Sequence, residues 1–133
     1  LNSTYQPLQI IIVNNGSTDN SLQLAQREAA ETPLITVIDQ ESSGVAAVRN
    51  SRISNASGEI VLPIDGDDLI HPNYIHRAVS EPQKDPEVKV VYAKPVKFNE
   101  KGIKPWKLKK FSRYTLAHDS TIYVSGLYRK SDW

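Results

Sequence analysis

The sequence predicts an α/β domain with a Rossmann-like, mostly parallel sheet and flanking helices. Two observations carry this prediction. Short apolar runs rich in β-branched residues recur at 8–13, 34–38, 60–64 and 88–92. Between them lie segments whose apolar residues follow helical spacing, and strands that alternate with helices argue a parallel sheet with helices on its faces. The 133 residues make about one domain, long enough to bury a core.

Taken in chain order, Leu8 to Val13 reads as a buried strand that ends at Asn14-Asn15-Gly16. Gly16-Ser17-Thr18-Asp19 supplies turn and helix N-cap chemistry. Leu22, Ala25 and Ala29 then fall on one helical face, and Pro33 stops that helix. Leu34 to Ile38 is the second strand, and Ser42-Ser43-Gly44 is a loop. Residues 45–56 read as a second helix with Gly58 as its stop. Ile60 to Ile64 is the third strand. Pro72 suits the first turn of a third helix whose apolar face is Tyr74, Ile75, Ala78 and Val79. Val88 to Tyr92 is the fourth strand. Beyond Lys94 the pattern loosens into a short strand at Pro95–Phe98, a turn at Asn99–Gly102 and a strand at Thr121–Val124.

Three carboxylates crowd into Asp65-Gly66-Asp67-Asp68, directly after the third strand. Like charges this close repel, and a hard divalent cation with oxygen ligands relieves the repulsion. Ligands of open α/β sheets bind outside the carboxyl ends of the strands. A metal-assisted phosphate or nucleotide site is therefore expected here. Taken alone, the same residues are equally read as a turn followed by a helix N-cap.

Composition narrows the classes. No apolar stretch approaches the roughly 18 residues of a membrane span. With no Cys there are no disulfides, thiolate metal sites or cysteine nucleophiles, which fits a reducing, cytoplasmic setting. With no Met, Leu1 is not a translation start, and the sequence reads as a piece of a longer chain. The net charge of +1 hides an acidic front and a basic segment, 94–113, in which Lys94, Lys97, Lys101, Lys104, Lys107, Lys109, Lys110 and Arg113 face Glu100 alone. The plain reading of that segment is a solvated loop. The sharper one is a surface for a phosphorylated substrate or an anionic membrane face. Its aromatic residues follow no nucleic-acid-binding motif. His71, His76 and His118 are too scattered in sequence for a metal cluster.

Three segments, in order, resemble one known family. IIIVNNGSTDNS (10–21) resembles the IIVDDGSTDNS signature of the inverting family 2 glycosyltransferases, which have the GT-A fold. GVAAVRN (44–50) resembles that family's G-x-x-x-A-R-N stretch, and GEIVLPIDGDDLIHP (58–72) its GEYIxFLDxDDxxxP segment. The likeness covers 8–93 well and the remainder loosely, so the chain divides into a nucleotide-sugar-binding part, 1–93, and the start of an acceptor-side part, 94–133. The resemblance implies transfer of a sugar from a nucleotide-diphosphate donor, uridine or thymidine linked, to a saccharide or lipid-linked acceptor with inversion. Mn2+ or Mg2+ would sit on the diphosphate. It also implies a bacterial cell-wall or polysaccharide pathway, with peripheral membrane association of the parent protein.

Residue by residue, the resemblance makes Asp67 the metal ligand, Asp65 a contact to the donor ribose, and Asp68 a donor-sugar contact or a support behind the ligands. Gly66 leaves room for the donor. Arg49 lies near its base or phosphates. Asn15 replaces the Asp that usually accepts from N3–H of uracil, and its amide oxygen can still accept that bond without charge. The family's first strand is expected before Leu1, where Leu1 to Pro7 reads as the end of a helix and its loop. The catalytic base is expected beyond Trp133, with Asp119 and Asp132 read as loop or cap residues. Two alternatives stand beside this reading. Asn14-Asn15 suggests a non-catalytic nucleotide-sugar binder. Asp65-Gly66-Asp67 also matches the D-x-D of aspartyl phosphotransferases of the haloacid dehalogenase type, although there the motif follows the first strand.

Overall fold

The computed structural model describes residues 2–42, 44–119 and 121–133, so Leu1 and the Ser43 of the predicted loop lie outside the described residues. The chain forms two compact units, Tyr5–Val61 and Leu62–Trp133 with Leu1–Thr4.

In the unit Tyr5–Val61, strand β1 (Ile10–Asn15) leads into helix α1 (Ser21–Glu31). Strand β2 (Ile35–Gln40), helix α2 (Gly44–Ser54) and the two-residue strand β3 (Ile60–Val61) follow. The predicted parallel pairing is present: β1 and β2 run parallel in register from Ile10↔Ile35 to Asn15↔Gln40. Leu22, Ala25 and Ala29 are the least exposed positions of α1, as the helical spacing requires. Val48 and Ile53 of α2 are buried, and α2 packs against β1, where Val13 is buried too. Gln9 ties the entry of β1 to the exit of α2. Its side-chain oxygen accepts from Ser57 N at 2.8 Å and Ser57 Oγ at 2.9 Å. Gly16 turns the chain after β1 with φ +73°, a left-handed step that glycine takes without steric cost.

The third strand is shorter than predicted, ending at Val61 rather than Ile64. Pro63 explains this, since it donates no N–H to a ladder and restricts Leu62 before it.

In the second unit, helix α3 (Tyr74–Lys84) buries Ile75, Ala78, Val79 and Pro82. Burying an aliphatic side chain of the size of Ile75 or Val79 contributes about 1.5–3 kcal/mol. Pro72 falls outside the first helical turn, where it was predicted, because Asn73 is the N-cap. The carbonyl of Pro72 accepts from Thr4 N at 3.1 Å, and Thr4 Oγ1 donates to Asn73 Oδ1 at 3.0 Å, which fixes the turn before the helix.

Strand β4 covers only Val90–Val91 of the predicted Val88–Tyr92. Val88 is used otherwise: its N–H closes a turn onto Asp85 O, and its carbonyl accepts from Arg129. Strands β5 (Val96–Asn99) and β6 (Gly102–Pro105) form an antiparallel hairpin. Lys101 N donates to Asn99 Oδ1 at 2.9 Å, and Gly102 takes φ +118°. No described non-glycine residue has positive φ, so the turn is not of the primed two-residue type and Gly102 supplies its left-handed step.

A six-residue helix, α4 (Arg113–His118), was not predicted. Ser112 caps it by accepting from Thr115 N at 3.0 Å. The strand predicted at Thr121–Val124 is irregular. Strand β7 lies instead at Leu127–Arg129, antiparallel to β4 through Val90↔Tyr128 and Val91↔Leu127. Gly126 allows this pairing, since a Cβ there would come within 3.1 Å of Val90 Cγ1. Residues 2–7 are irregular and carry no helical turn. No helix among the described residues is long and apolar enough to cross a membrane.

Candidate functional site

Two clusters hold the residues singled out in the sequence, one in each unit. The first is the carboxyl end of β1. The parallel register sets Asn14 beside Asp39 and Asn15 beside Gln40. Asn14 Nδ2 donates to Asp39 Oδ1 at 2.7 Å, and Gln40 Nε2 donates to Asn15 Oδ1 at 3.3 Å. Asn14 is buried. This gives a physical reason for its departure from the two-Asp pattern. A carboxylate at position 14 would meet the carboxylate of Asp39, whereas an amide donates to it. The side-chain oxygen of Asn15 is an uncharged amide acceptor. Arg49 is half-buried on α2.

The second cluster is the acidic turn. Asp68 N donates to Asp65 O at 3.0 Å, closing a turn around Gly66 and Asp67, both exposed. A Cβ at Gly66 would meet nothing within 4 Å, so the space above the turn is open. The three carboxylates differ in their surroundings. Asp68 Oδ1 accepts from the Tyr123 hydroxyl at 2.8 Å, and Asp68 Oδ2 from Ser125 Oγ at 3.5 Å. Asp65 and Asp67 receive no side-chain hydrogen bond among the described residues. The negative field of the turn registers on Tyr123. Its hydroxyl is held above its ordinary pKa, first by the bond to Asp68, then by burial, then by the charges of Asp68, Asp65 and Asp67.

The donor set decides what cation would fit. No group of three His, Asp or Glu side chains comes together as a ready-made cage among the described residues. Mg2+ and similar ions commonly use one or two carboxylates and complete their shell with substrate phosphates and water. Asp67, exposed beside the half-buried Asp65, fits that mode.

Thus Asp65, Gly66, Asp67 and Asp68 share one turn, while Asn15 and Arg49 belong to the Tyr5–Val61 unit. The two carboxylates near the end of the chain are held in ion pairs. Asp119 meets Lys109 Nζ at 2.6 Å, and Asp132 meets Lys89 Nζ at 3.5 Å and Arg129 Nη1 at 3.7 Å. His71 Nδ1 accepts from Asn73 N at 3.2 Å, a turn role next to the acidic motif. His118 stacks on Tyr114. Tyr123 and Ser125 are the residues of this site that the sequence did not disclose. Tyr123 falls in the segment that reads as a strand and Ser125 just beyond it, and no local pattern announces a bond to Asp68.

The sequence profile described as glycosyl transferase family 2 matches residues 1–130. The chain is 30% identical over 136 residues to the glycosyltransferase GlyA of Streptococcus pneumoniae, covering 99% of this chain and 19% of that protein. It is 38% identical over 90 residues to the glycosyltransferase GlyG of the same organism, covering 66% and 30%. To the chondroitin synthase of Pasteurella multocida it is 29% identical over 102 residues, covering 77% and 11%. The chain therefore spans less than a third of the length of these relatives. With the profile matching nearly its whole length, and its signature segments at the end of β1, on α2 and in the acidic turn, the chain belongs to glycosyl transferase family 2.

Proposed function

We propose that this chain is the donor-handling part of an inverting glycosyltransferase. It moves a sugar from a nucleoside-diphosphate sugar, a uridine diphosphate sugar first, to a saccharide or lipid-linked acceptor. The observation that carries the reading is the division of labour in the acidic turn. One carboxylate is engaged by hydroxyls, and two are left beside open space. Unpaired carboxylates held close together favour a cation, and family membership makes a nucleotide diphosphate its partner.

In this reading Asp67 holds Mn2+ or Mg2+, Asp65 meets the donor ribose, and Gly66 admits the donor closely. The bound cation supplies neutralisation of the charge that grows on the departing diphosphate. Asn15 accepts from N3–H of the base through its amide oxygen, and Arg49 lies by the base or phosphates. The base that deprotonates the acceptor hydroxyl is assigned to neither Asp119 nor Asp132, both of which are ion-paired. Residues 1–93 handle the donor, and the basic 94–113 segment serves the acceptor side or an anionic membrane face. A cytoplasmic location, where nucleotide-activated sugars are made, goes with this reading. So does a bacterial polysaccharide product, since the relatives include chondroitin and hyaluronan synthases.

A non-catalytic nucleotide-sugar binder is the second reading. The amide pairs Asn14–Asp39 and Asn15–Gln40 favour it, because the base-binding end of β1 then lacks the family's negative charge. The phosphotransferase alternative is not supported by element order, since the acidic turn follows β3 rather than the first strand.

Calorimetric titration with UDP and UDP-sugars, with and without Mn2+, tests the donor site. The expected result is Mn2+-dependent binding that Asp67→Ala weakens by 100-fold or more, on the order of 3 kcal/mol. Binding that ignores both Mn2+ and Asp67→Ala would sink the proposal. Sugar transfer assayed on the full-length protein separates the transferase from the binder.

A further inference from the structure

We infer that Tyr123 and Ser125 are positioning residues for the acidic turn, acting through Asp68. Asp68 anchors the turn, and Asp65 and Asp67 are the carboxylates that face cation and donor. This inference rests on the donor-site reading above and assigns parts within it.

The turn has little of its own to hold it. Among the described residues a single backbone bond, Asp68 N to Asp65 O, closes it. Gly66 at its tip is the residue with the most conformational freedom. The side chain that follows offers no packing, since Leu69 is 80% exposed. Three like charges in four residues drive such a loop apart. An external anchor is therefore needed for Asp67 to keep one direction.

Tyr123 and Ser125 have the properties of that anchor. Their hydroxyls engage both oxygens of Asp68, and they lie on a segment that is itself fixed. Ser125 is buried, and its carbonyl accepts from the Tyr74 hydroxyl of α3 at 2.9 Å. Leu127, two residues on, is 1% exposed. The Tyr123 ring meets Trp106 edge-on at 5.4 Å, and Lys97 Nζ lies 4.4 Å from the centre of the Trp106 ring. A line of contacts thus runs from the β5–β6 hairpin through Trp106 and Tyr123 to Asp68. A carboxylate engaged by two hydroxyls is oriented by them, whereas no side chain among the described residues makes such a claim on the lone pairs of Asp65 and Asp67.

Substitutions at position 68 separate an anchor from a ligand. The asparagine side-chain oxygen still accepts from Tyr123 but carries no charge. Calorimetry of Mn2+ with UDP is therefore run on wild type, Asp67→Ala, Tyr123→Phe, Asp68→Ala and Asp68→Asn, with the thermal midpoint of each recorded. Tyr123→Phe keeps the ring against Trp106 and removes only the hydroxyl. We expect Tyr123→Phe and Asp68→Ala each to weaken binding about tenfold, the usual scale for a residue supporting a metal ligand. Adding Tyr123→Phe to Asp68→Ala should cost nothing more, because both remove the same interaction. Asp68→Asn should stay within about threefold of wild type, a neutral bond having roughly half the strength of a charge-assisted one.

Asp68→Asn as weak as Asp68→Ala would overturn the inference, since charge rather than anchorage would then matter at 68. So would a folded Tyr123→Phe with unchanged affinity. If wild type binds and Asp67→Ala does not, those outcomes remove the anchor alone and leave the donor site standing. If wild type does not bind, the donor-site reading fails and the inference falls with it.

Discussion

The two units of the chain are held together by different means. In Tyr5–Val61 the work is done by backbone. Six residue pairs join β1 to β2, and two eleven-residue helices pack on the strands. In Leu62–Trp133 the strands are two to four residues long, and polar side chains make the distant ties. Tyr74 reaches Ser125, 51 residues away. The Arg129 guanidinium donates to the carbonyls of Pro82 at 2.7 Å, Val88 at 2.9 Å and Pro86 at 3.2 Å, capping the last turn of α3 and the loop beyond it. Tyr123 reaches Asp68 across 55 residues. Where ladders are short, side-chain bonds take over, and one of them, Tyr123 to Asp68, also holds the acidic turn.

The contrast can be broken by substitution. The largest effect is expected from Arg129→Ala. It leaves three carbonyls without their cationic donor, and hydrogen bonds to charged groups are worth about 1.5–3 kcal/mol each before water replaces some of them. We expect a loss of about 3 kcal/mol in denaturant unfolding, with amide exchange accelerated in 62–133 and little changed in β1 and β2. Equal acceleration in both units would break the distinction.

Tyr74→Phe comes next, at about 1.5 kcal/mol, because the buried Ser125 loses its carbonyl's donor. The same variant has a pH signature. Burial holds the Tyr74 hydroxyl above its ordinary value near 10. The unfolded chain therefore releases this proton first. The stabilisation is complete below pH 10 and is lost as pH rises through the higher folded value. Tyr74→Phe should flatten that alkaline decline, and a decline of unchanged steepness would show that Tyr74 does not cause it.

The smallest effect is expected from Asn14→Asp in the backbone-held unit. It sets two carboxylates side by side at a buried position, and in the absence of a cation should cost about 1 kcal/mol at pH 7. The folded pair would keep a proton above the unfolded value near 4, so the cost should vanish as pH falls below about 4. A pH-independent loss would point to packing instead.

The same contrast decides what could be read from the sequence. Periodicity located β1, α1, β2, α2 and α3, since each is an uninterrupted pattern of apolar spacing. Leu22, Ala25 and Ala29 even gave the inward face of α1. The acidic turn and the end of β1 were legible as motifs because their residue types stand together in sequence. The length of β3 was misread although Pro63 lay in plain view. Val88 was placed in a strand because nothing local shows that Arg129 claims its carbonyl. Helix α4 has a legible cap in Ser112, but its six residues give too short a period to recognise. Tyr123, Ser125 and Arg129 act over 41 to 57 residues, and sequence pattern carries no information at that range.

The reach of the Tyr123–Asp68 bond also sets an order of events during synthesis. Once the chain has grown to Val61, every residue of the β1–β2 ladder and of the helices on it has been made. The acidic turn is made only a few residues later, but the hydroxyl that orients it is 55 residues behind. At roughly 5–20 residues per second, the ribosome leaves the turn without its anchor for about 3 to 11 seconds. During that interval the nascent chain carries three crowded carboxylates in a turn that lacks its side-chain anchor. Anchorage of the acidic turn is thus a late event in the making of this protein, set by translation of Tyr123 and Ser125 rather than by translation of the motif itself.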